Sequence, residues 1–175
     1  METSLRYDSN RRSLSLFAKE RFTNAGDLVL TVSGELDTRE GRMRGKAHVR
    51  KRLFAPAKSP LMPDRADVGL TYDTTRDDVR YGARVRKTLD VSAARDGMTT
   101  IEAKAGVSYG AKDHRALVDG SIELEHKVFN FQEDQDLRVR LGYDVATSQP
   151  YAQLRENNWT FNTDFRNNWS VCYDM

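Results

Sequence analysis

The sequence contains one cysteine, four prolines and no long apolar run in 175 residues. The lone thiol, Cys172, cannot form an internal disulfide, which argues against a disulfide-stapled secreted domain. No stretch of about 18 or more apolar residues is present, so no transmembrane helix is predicted. The mean hydropathy is low, at −0.71. This value still allows a membrane β-barrel, because such a barrel needs an apolar residue only at alternate positions.

The sequence also lacks a large excess of residues of either charge. The chain has 28 Lys and Arg against 26 Asp and Glu, for a net charge of +2, so it is not a polycation that binds nucleic acid through bulk charge. The start, METSLRYDSN, lacks both the apolar segment of a signal peptide and a long Arg- and Ser-rich amphipathic stretch, so we expect no cleaved transit peptide. The length fits a single domain over residues 1–175.

Patterns that carry catalysis or bind metals are scarce. The three histidines, His48, His114 and His126, lie far apart and have no cysteine or carboxylate at ligand spacing, so no zinc site is predicted. The segment GRMRGKA (41–47) resembles a P-loop but is one residue too short between its glycines, and Ala47 cannot ligate magnesium. The sequence therefore predicts a protein that is not an enzyme.

Alternation with a period of two residues is present almost everywhere. In DVRYGARVRKTLDV (78–91) one series is apolar except for Lys87, and the other holds three arginines. Such alternation is typical of a β-strand with two different faces. Turn sequences such as DSNRR, DTTRDD, KDHR and ENN separate the runs. Longer breaks are predicted at DTREGRMRG and at APAKSPLMPDR, which holds Pro56, Pro60 and Pro63.

The segments predict an all-β meander. Dividing the length by roughly 14 residues for one membrane strand and its turn gives about twelve strands, an even number as in up-and-down barrels. Periodicity does not tell which face meets water. A soluble lipocalin-like barrel around a hydrophobic ligand has its apolar face inside, whereas a membrane barrel has it outside.

Three features favour the membrane barrel. Most runs exceed the ~5–6 residues of an ordinary strand, and aromatic residues recur near run ends, as in an interfacial girdle. The polar face of the two cleanest runs is rich in arginine. A third alternative is a nucleic-acid-binding β-barrel, because RMRGKAHVRKR (42–52) holds six basic residues. We favour a turn followed by a strand there, since the same arginine phase recurs on other strands.

Several segments resemble the plant chloroplast outer envelope pore protein 21 family. They are METSLRY at the start, FAKE (17–20), GELDTREG, FNFQEDQDLRVRLGYD (129–144) and YAQLRENNWTFNTDFRNNW (151–169). The resemblance extends over essentially the whole chain. It implies a closed antiparallel transmembrane β-barrel in the plastid outer envelope, with a basic, water-filled lumen. A single barrel of this kind can conduct alone.

The resemblance also implies a voltage-dependent, rectifying, anion-selective solute channel. Its implied solutes are phosphorylated metabolites such as triose phosphates and 3-phosphoglycerate, with inorganic phosphate and chloride. No cofactor is implied, but ATP is implied as a regulatory ligand. A nucleotide motif of the form Phe-x4-Lys has its nearest match from Phe161 to Arg166, where Arg replaces Lys.

In this interpretation the arginines of the 78–91 run, Arg80, Arg84 and Arg86, face the lumen, where fixed guanidinium groups favour anions over cations. Arginine forks also match pairs of phosphate oxygens. Acidic residues share the same phase, so the lumen is not uniformly basic and local clustering must select the anions. The residues predicted to form the anion pathway are Lys19, Arg21, Arg50, Arg52, Arg80, Arg84, Arg86, Lys104, Arg138, Arg140 and Arg155.

Overall fold

A computed structural model describes residues 1–24, 26–53, 62–94, 97–132 and 135–175. Twelve antiparallel strands form a closed up-and-down barrel in which β1 pairs with β12. The predicted fold class and strand number are confirmed. The strands are β1 (Glu2–Asp8), β2 (Ser13–Thr23), β3 (Leu28–Asp37), β4 (Met43–Arg52), β5 (Arg65–Asp73), β6 (Asp78–Ala94), β7 (Gly97–Gly110), β8 (Ala116–Gln132), β9 (Gln135–Asp144), β10 (Gln149–Glu156), β11 (Trp159–Thr163) and β12 (Trp169–Asp174).

The structure describes the first of the two predicted long breaks in full and the second, APAKSPLMPDR, only in part. Pro56 and Pro60 lie outside the described residues. The break at DTREGRMRG is shorter than predicted, because β4 begins at Met43. Asp37 accepts the backbone N–H of Gly41 at 2.9 Å, and Gly41 has a φ of +64°, which glycine adopts without steric cost. Within the described part of the chain, no helix is long and apolar enough to cross a membrane.

One rim of the barrel, called the turn rim, carries the six turns that follow β1, β3, β5, β7, β9 and β11. Both chain termini lie at the opposite end, called the terminal rim. Each turn at the turn rim has an aspartate whose carboxylate accepts backbone N–H groups of that turn. This Asx-type bonding replaces ladder hydrogen bonds where the strands end. The six residues are Asp8, Asp37, Asp73, Asp113, Asp144 and Asp164.

Polar side chains fill the interior of this barrel and apolar side chains cover its outside. Thr100 and Glu123 are only 6% and 5% exposed, whereas Leu70, Leu141 and Ile122 are 43%, 49% and 55% exposed. Facing residues of paired strands share one side of the sheet, so this partition continues around the barrel. The lipocalin-like alternative is wrong, because it requires the apolar series inside.

Aromatic side chains cover the outer face where the barrel closes. The rings of Tyr7 and Trp169 are 5.5 Å apart near the turn rim, and those of Trp159 and Tyr173 are 4.7 Å apart near the terminal rim. Rings at both ends of the wall suit the two interfaces of a bilayer. Strands β2–β9 have 9–17 residues, but the four strands at the closure, β10, β11, β12 and β1, have only 5–8.

Candidate functional site

The strand register places the eleven predicted basic residues on the inward-facing side of the sheet. Arg52, Asp67 and Arg84 lie in one row across β4, β5 and β6, and Arg86 lies opposite Lys104. The remaining members follow the same alternation on β2, β4, β6, β9 and β10: Lys19, Arg21, Arg50, Arg80, Arg138, Arg140 and Arg155. The pairing brings these residues into one lumen, although it does not make them equivalent.

Carboxylates neutralise much of the wall formed by β6–β9. The Arg86 Nε and the Lys104 Nζ lie 2.6 and 3.2 Å from the Glu102 Oε1. Arg140 forms a two-nitrogen contact with Glu125. We call the connected set the charge network; its members are the cations Arg86, Lys104, Lys127 and Arg140 and the carboxylates Glu102, Glu123 and Glu125. Four cations and three carboxylates leave it with little net charge.

Glu123 lies at the centre of the charge network. Its carboxylate accepts hydrogen bonds from the Lys104 Nζ at 2.8 Å and from the Tyr151 hydroxyl at 2.6 Å. The Arg140 Nε lies 3.4 Å away. The Tyr151 ring reaches this point by crossing Gly142, where an added Cβ would lie 2.2 Å from the Tyr151 Cζ. A glycine on β9 therefore makes room for the tyrosine that satisfies a buried carboxylate.

Two arginines of β6 have quite different surroundings. Arg80 is buried near the turn rim, where it donates to Asp113 at 3.3 Å and to the Arg115 carbonyl at 3.2 Å. The Arg84 Nη2 lies 3.4 Å from the Asp119 Oδ2, but the two side chains are 59% and 52% exposed. Such an exposed pair contributes roughly 0–1 kcal/mol. Arg80 therefore supports the wall, while Arg84 can exchange its partner for a solute.

Ion pairs also hold two of the predicted cations near the terminal rim. The Arg155 Nη2 lies 2.9 Å from the Asp174 Oδ2, and the Lys19 Nζ lies 2.7 Å from the Glu2 Oε2. The first pair joins β10 to β12 across β11, and the second joins β2 to β1. Both cations are therefore partly neutralised within the lumen mouth.

Four of the predicted cations have side chains without an ion-pair or hydrogen-bond partner among the described residues: Arg21, Arg50, Arg52 and Arg138. The Nε of Arg50 is buried in addition. Arg21, Arg65 and Arg84 are near enough to repel the Arg50 guanidinium, and Asp67 is near enough to attract it. An uncompensated buried donor costs free energy, so the Arg50 position favours an anion from solution.

Sequence reasoning missed several cations of the lumen, among them Lys127 of the charge network, Arg6 and Arg65. The Arg6 guanidinium carbon lies 3.4 Å above the centre of the Phe17 ring. Phe17 breaks the alternation of β2 because it faces inward, and this break was the available signal for a cation partner. Arg65 lies opposite Arg86 in the register, and its Nε donates to the Asp67 Oδ2 at 2.7 Å.

The two residues of the predicted nucleotide motif do not share the lumen with the arginines. Phe161 faces outward, 42% exposed, and its ring lies 6.3 Å from that of Trp169. Arg166 belongs to the turn after β11, where its N–H donates to the Asp164 Oδ1 at 2.9 Å. This placement leaves the nucleotide site a prediction without geometric support.

The turn rim has a charge pair between neighbouring turns. The Lys112 Nζ donates to the Asp77 Oδ2 at 2.9 Å, and the Tyr72 hydroxyl donates to the Asp77 Oδ1 at 3.1 Å. The Lys112 bond lowers the pKa of Asp77 below its ordinary 3.8, and the same bond raises the pKa of Lys112 above 10.5. The pair connects the β5–β6 turn to the β7–β8 turn.

The basic run 42–52 does not form one surface patch. It belongs to β4, so His48 and Arg50 face the lumen while Lys51 faces outward. Across the described ranges, no group of three or more His, Cys, Asp or Glu side chains could hold a metal ion. The chemistry available in the lumen is therefore that of guanidinium, ammonium and carboxylate groups.

Comparison with known proteins gives the family. Residues 3–175 match the model of the chloroplast outer envelope pore protein OEP21 family. The chain is 37% identical to outer envelope pore protein 21 of Pisum sativum and 38% identical to outer envelope pore protein 21A of Arabidopsis thaliana, over the full length of each protein. The NanC porin shares the fold alone, with a TM-score of 0.53 and 10% identity over 99% of this chain and 97% of the porin. These family names confirm the prediction that the protein is a pore and not an enzyme. The chain belongs to the chloroplast outer envelope pore protein OEP21 family.

Proposed function

We propose that this pore of the chloroplast outer envelope is a voltage-dependent, rectifying channel selective for anions. Its proposed solutes are triose phosphates, 3-phosphoglycerate, inorganic phosphate and chloride, and ATP is its proposed regulatory ligand. The observation that carries the proposal is the inward placement of eleven predicted basic residues, four of which have no side-chain partner among the described residues. Fixed positive charge in a narrow lumen lowers the entry cost of anions and raises that of cations.

The mixed charge of the lumen supports conduction rather than trapping. Asp67 and Asp73 lie on the same inward phase as Arg50 and Arg84. Conduction needs binding that is favourable enough for entry and weak enough for release. Carboxylates beside the arginines limit the affinity at each step, so a phosphate group can pass from one guanidinium to the next.

Different placement of charge at the two ends supports rectification. The turns of the turn rim combine six aspartates with eight basic residues, so the charges there largely cancel. Near the terminal rim, the ends of β2, β4 and β10 carry the inward cations Arg21, Arg52 and Arg155. A fixed charge that differs along the axis makes anion entry easier from one side. Current should therefore depend on the sign of the applied voltage.

The test is the reversal potential of the purified protein in a planar bilayer across a KCl gradient, measured before and after ATP is added. A potential displaced toward the chloride equilibrium value, with current reduced by ATP, is the expected result. The double variant Arg84→Glu, Arg86→Glu should move the potential toward the potassium value. A wild-type pore with equal permeability to both ions would overturn the proposal.

A further inference from the structure

The wall of the lumen is hollow beside Arg50. The next two residues in its row across the sheet are Gly69 on β5 and Gly82 on β6, followed by Ser108 on β7. Two adjacent glycines leave the sheet without side chains at this level. A cavity of about 270 Å³ lies there, bordered by Arg50, Gly69, Gly82, Ser108 and Arg84 among others.

Close strand packing requires one of these glycines. A Cβ added at Gly69 would lie 2.3 Å from the Val49 carbonyl oxygen and 3.0 Å from the Arg50 Cα. At Gly82 the nearest atom would be the Val107 oxygen at 3.3 Å, a contact that a small local shift relieves. The close approach of β4 and β5 therefore creates the hollow and requires glycine at position 69. Gly82 extends the hollow, but strand packing does not require glycine there.

Charged side chains of both signs border this hollow, and the cations Lys46, Arg50, Arg76, Arg80 and Arg84 outnumber the carboxylates Asp67, Asp73, Asp78 and Asp119 by one. Arg50 has a buried Nε without a partner; Arg21, Arg65 and Arg84 act on it repulsively, and Asp67 attracts it. The Asp67 Oδ2 is bonded to Arg65 at 2.7 Å, and the exposed contact of Arg84 with Asp119 is 3.4 Å long. Two guanidinium groups at one cavity can supply paired N–H donors to the oxygens of a phosphate group.

The adjoining wall, formed by β6–β9, has a different character. There the cations of the charge network are bonded to Glu102, Glu123 and Glu125, with contacts of 2.6–3.4 Å besides the Arg140–Glu125 contact. These carboxylates are nearly buried, so their bonds are not readily exchanged for bonds to a solute. An anion that passes this wall meets groups that already neutralise one another.

We propose that the hollow at Gly69 and Gly82 is the main phosphate-binding subsite of the lumen and that Arg50 and Arg84 determine its anion selectivity. Arg86, Lys104 and Arg140 then stabilise the wall. The ligand is a phosphate monoester or free phosphate dianion, with its organic part directed along the pore. This inference rests on the proposed anion channel and locates its specificity on one wall.

The test compares Arg50→Gln with Arg138→Gln. Both variants remove one inward-facing guanidinium without a described partner, but only Arg50 borders the hollow. The measurement is the concentration of inorganic phosphate that halves the chloride current in a planar bilayer. Arg50→Gln should raise this concentration about tenfold, since a hydrogen bond to a charged group has that order of effect. Arg138→Gln should change it less than about twofold by the same reasoning.

A third variant separates the hollow from its charge. Gly82→Val fills the space without changing any charge, so phosphate block should weaken while the reversal potential across a KCl gradient stays near that of the wild type. Circular dichroism and resistance to carbonate extraction verify that each variant is a folded, inserted barrel.

The outcomes separate the two proposals. If the wild type is anion-selective and blocked by phosphate, but Arg50→Gln and Arg138→Gln weaken the block equally, the subsite is wrong and the channel stands. If the wild type shows neither anion preference nor phosphate block, both proposals are overturned. An unchanged block in a folded Gly82→Val barrel also rejects the hollow as the subsite.

Discussion

Replacing Glu123 by glutamine should destabilise the barrel and increase its anion preference at the same time. The Glu123 side chain is 7% exposed and accepts bonds from Lys104 at 2.8 Å and Tyr151 at 2.6 Å, with Arg140 at 3.4 Å. Glutamine keeps the shape of the side chain and one acceptor oxygen, but it loses the negative charge. Both nearby cations then lack part of their compensation.

The size of the loss depends on how far water reaches those cations. Removing one partner of a fully buried ion pair costs about 3–5 kcal/mol. Lys104 and Arg140 retain 30% and 25% of their side-chain exposure, so water screens part of the repulsion. We therefore expect Glu123→Gln to lower the free energy of unfolding by about 2–3 kcal/mol.

The same substitution should raise the anion preference of the pore although it lowers the stability of the barrel. The charge network has four cations and three carboxylates, and the variant leaves four and two. The lumen gains one uncompensated positive charge, which favours anion entry. The reversal potential across a KCl gradient should move further toward the chloride value.

Guanidinium chloride unfolding in detergent micelles, followed by tryptophan fluorescence, measures the stability change. Asp119→Asn is the matched control, because Asp119 also pairs with a lumen arginine, but at 3.4 Å and with both side chains more than half exposed. It should cost less than about 1 kcal/mol. Equal stability of Glu123→Gln and the wild type, or equal losses in the two variants, would refute the argument from burial.

Three further expectations follow from other parts of the barrel. Arg84→Glu should shift the reversal potential toward the potassium value, whereas an unchanged potential in an inserted barrel would remove this side chain from the pathway. Gly142→Ala should lower the denaturation midpoint by the equivalent of about 1–3 kcal/mol, because its Cβ would lie 2.2 Å from the Tyr151 ring and displace the hydroxyl from a buried carboxylate. The pair of Asp77 and Lys112 should stabilise the turn rim between the two ordinary pKa values of 3.8 and 10.5. Because the pKa of Asp77 is lowered, this contribution is lost as pH falls through the folded-state pKa of Asp77; because the pKa of Lys112 is raised, it is lost as pH rises through the folded-state pKa of Lys112. The check is the pH dependence of the denaturation midpoint in the wild type and in Asp77→Asn. Parallel profiles of the two proteins would contradict the expectation.

Alternation was sufficient to identify which residues share a face, because side-chain direction in a strand depends only on local backbone geometry. Phe17 shows what the same rule reveals when it is broken. Its place in the polar series of β2 marked an inward aromatic residue, and the Arg6 guanidinium covers its ring. The identity of that partner was hidden, because β1 and β2 are brought together by the intervening turn.

The sequence by itself therefore determined the number of strands, the two faces of each strand and most of the cations that enter the lumen. The tertiary structure decided which face is inside and which of those cations are neutralised. Arg140 finds Glu125 across β8 and β9, while Arg50 finds two glycines in its row. These two arginines belong to similar alternating runs, but their charge environments differ. The reason is physical: pairing partners are set by the register between strands, which depends on turn lengths and barrel closure rather than on the alternation within one strand.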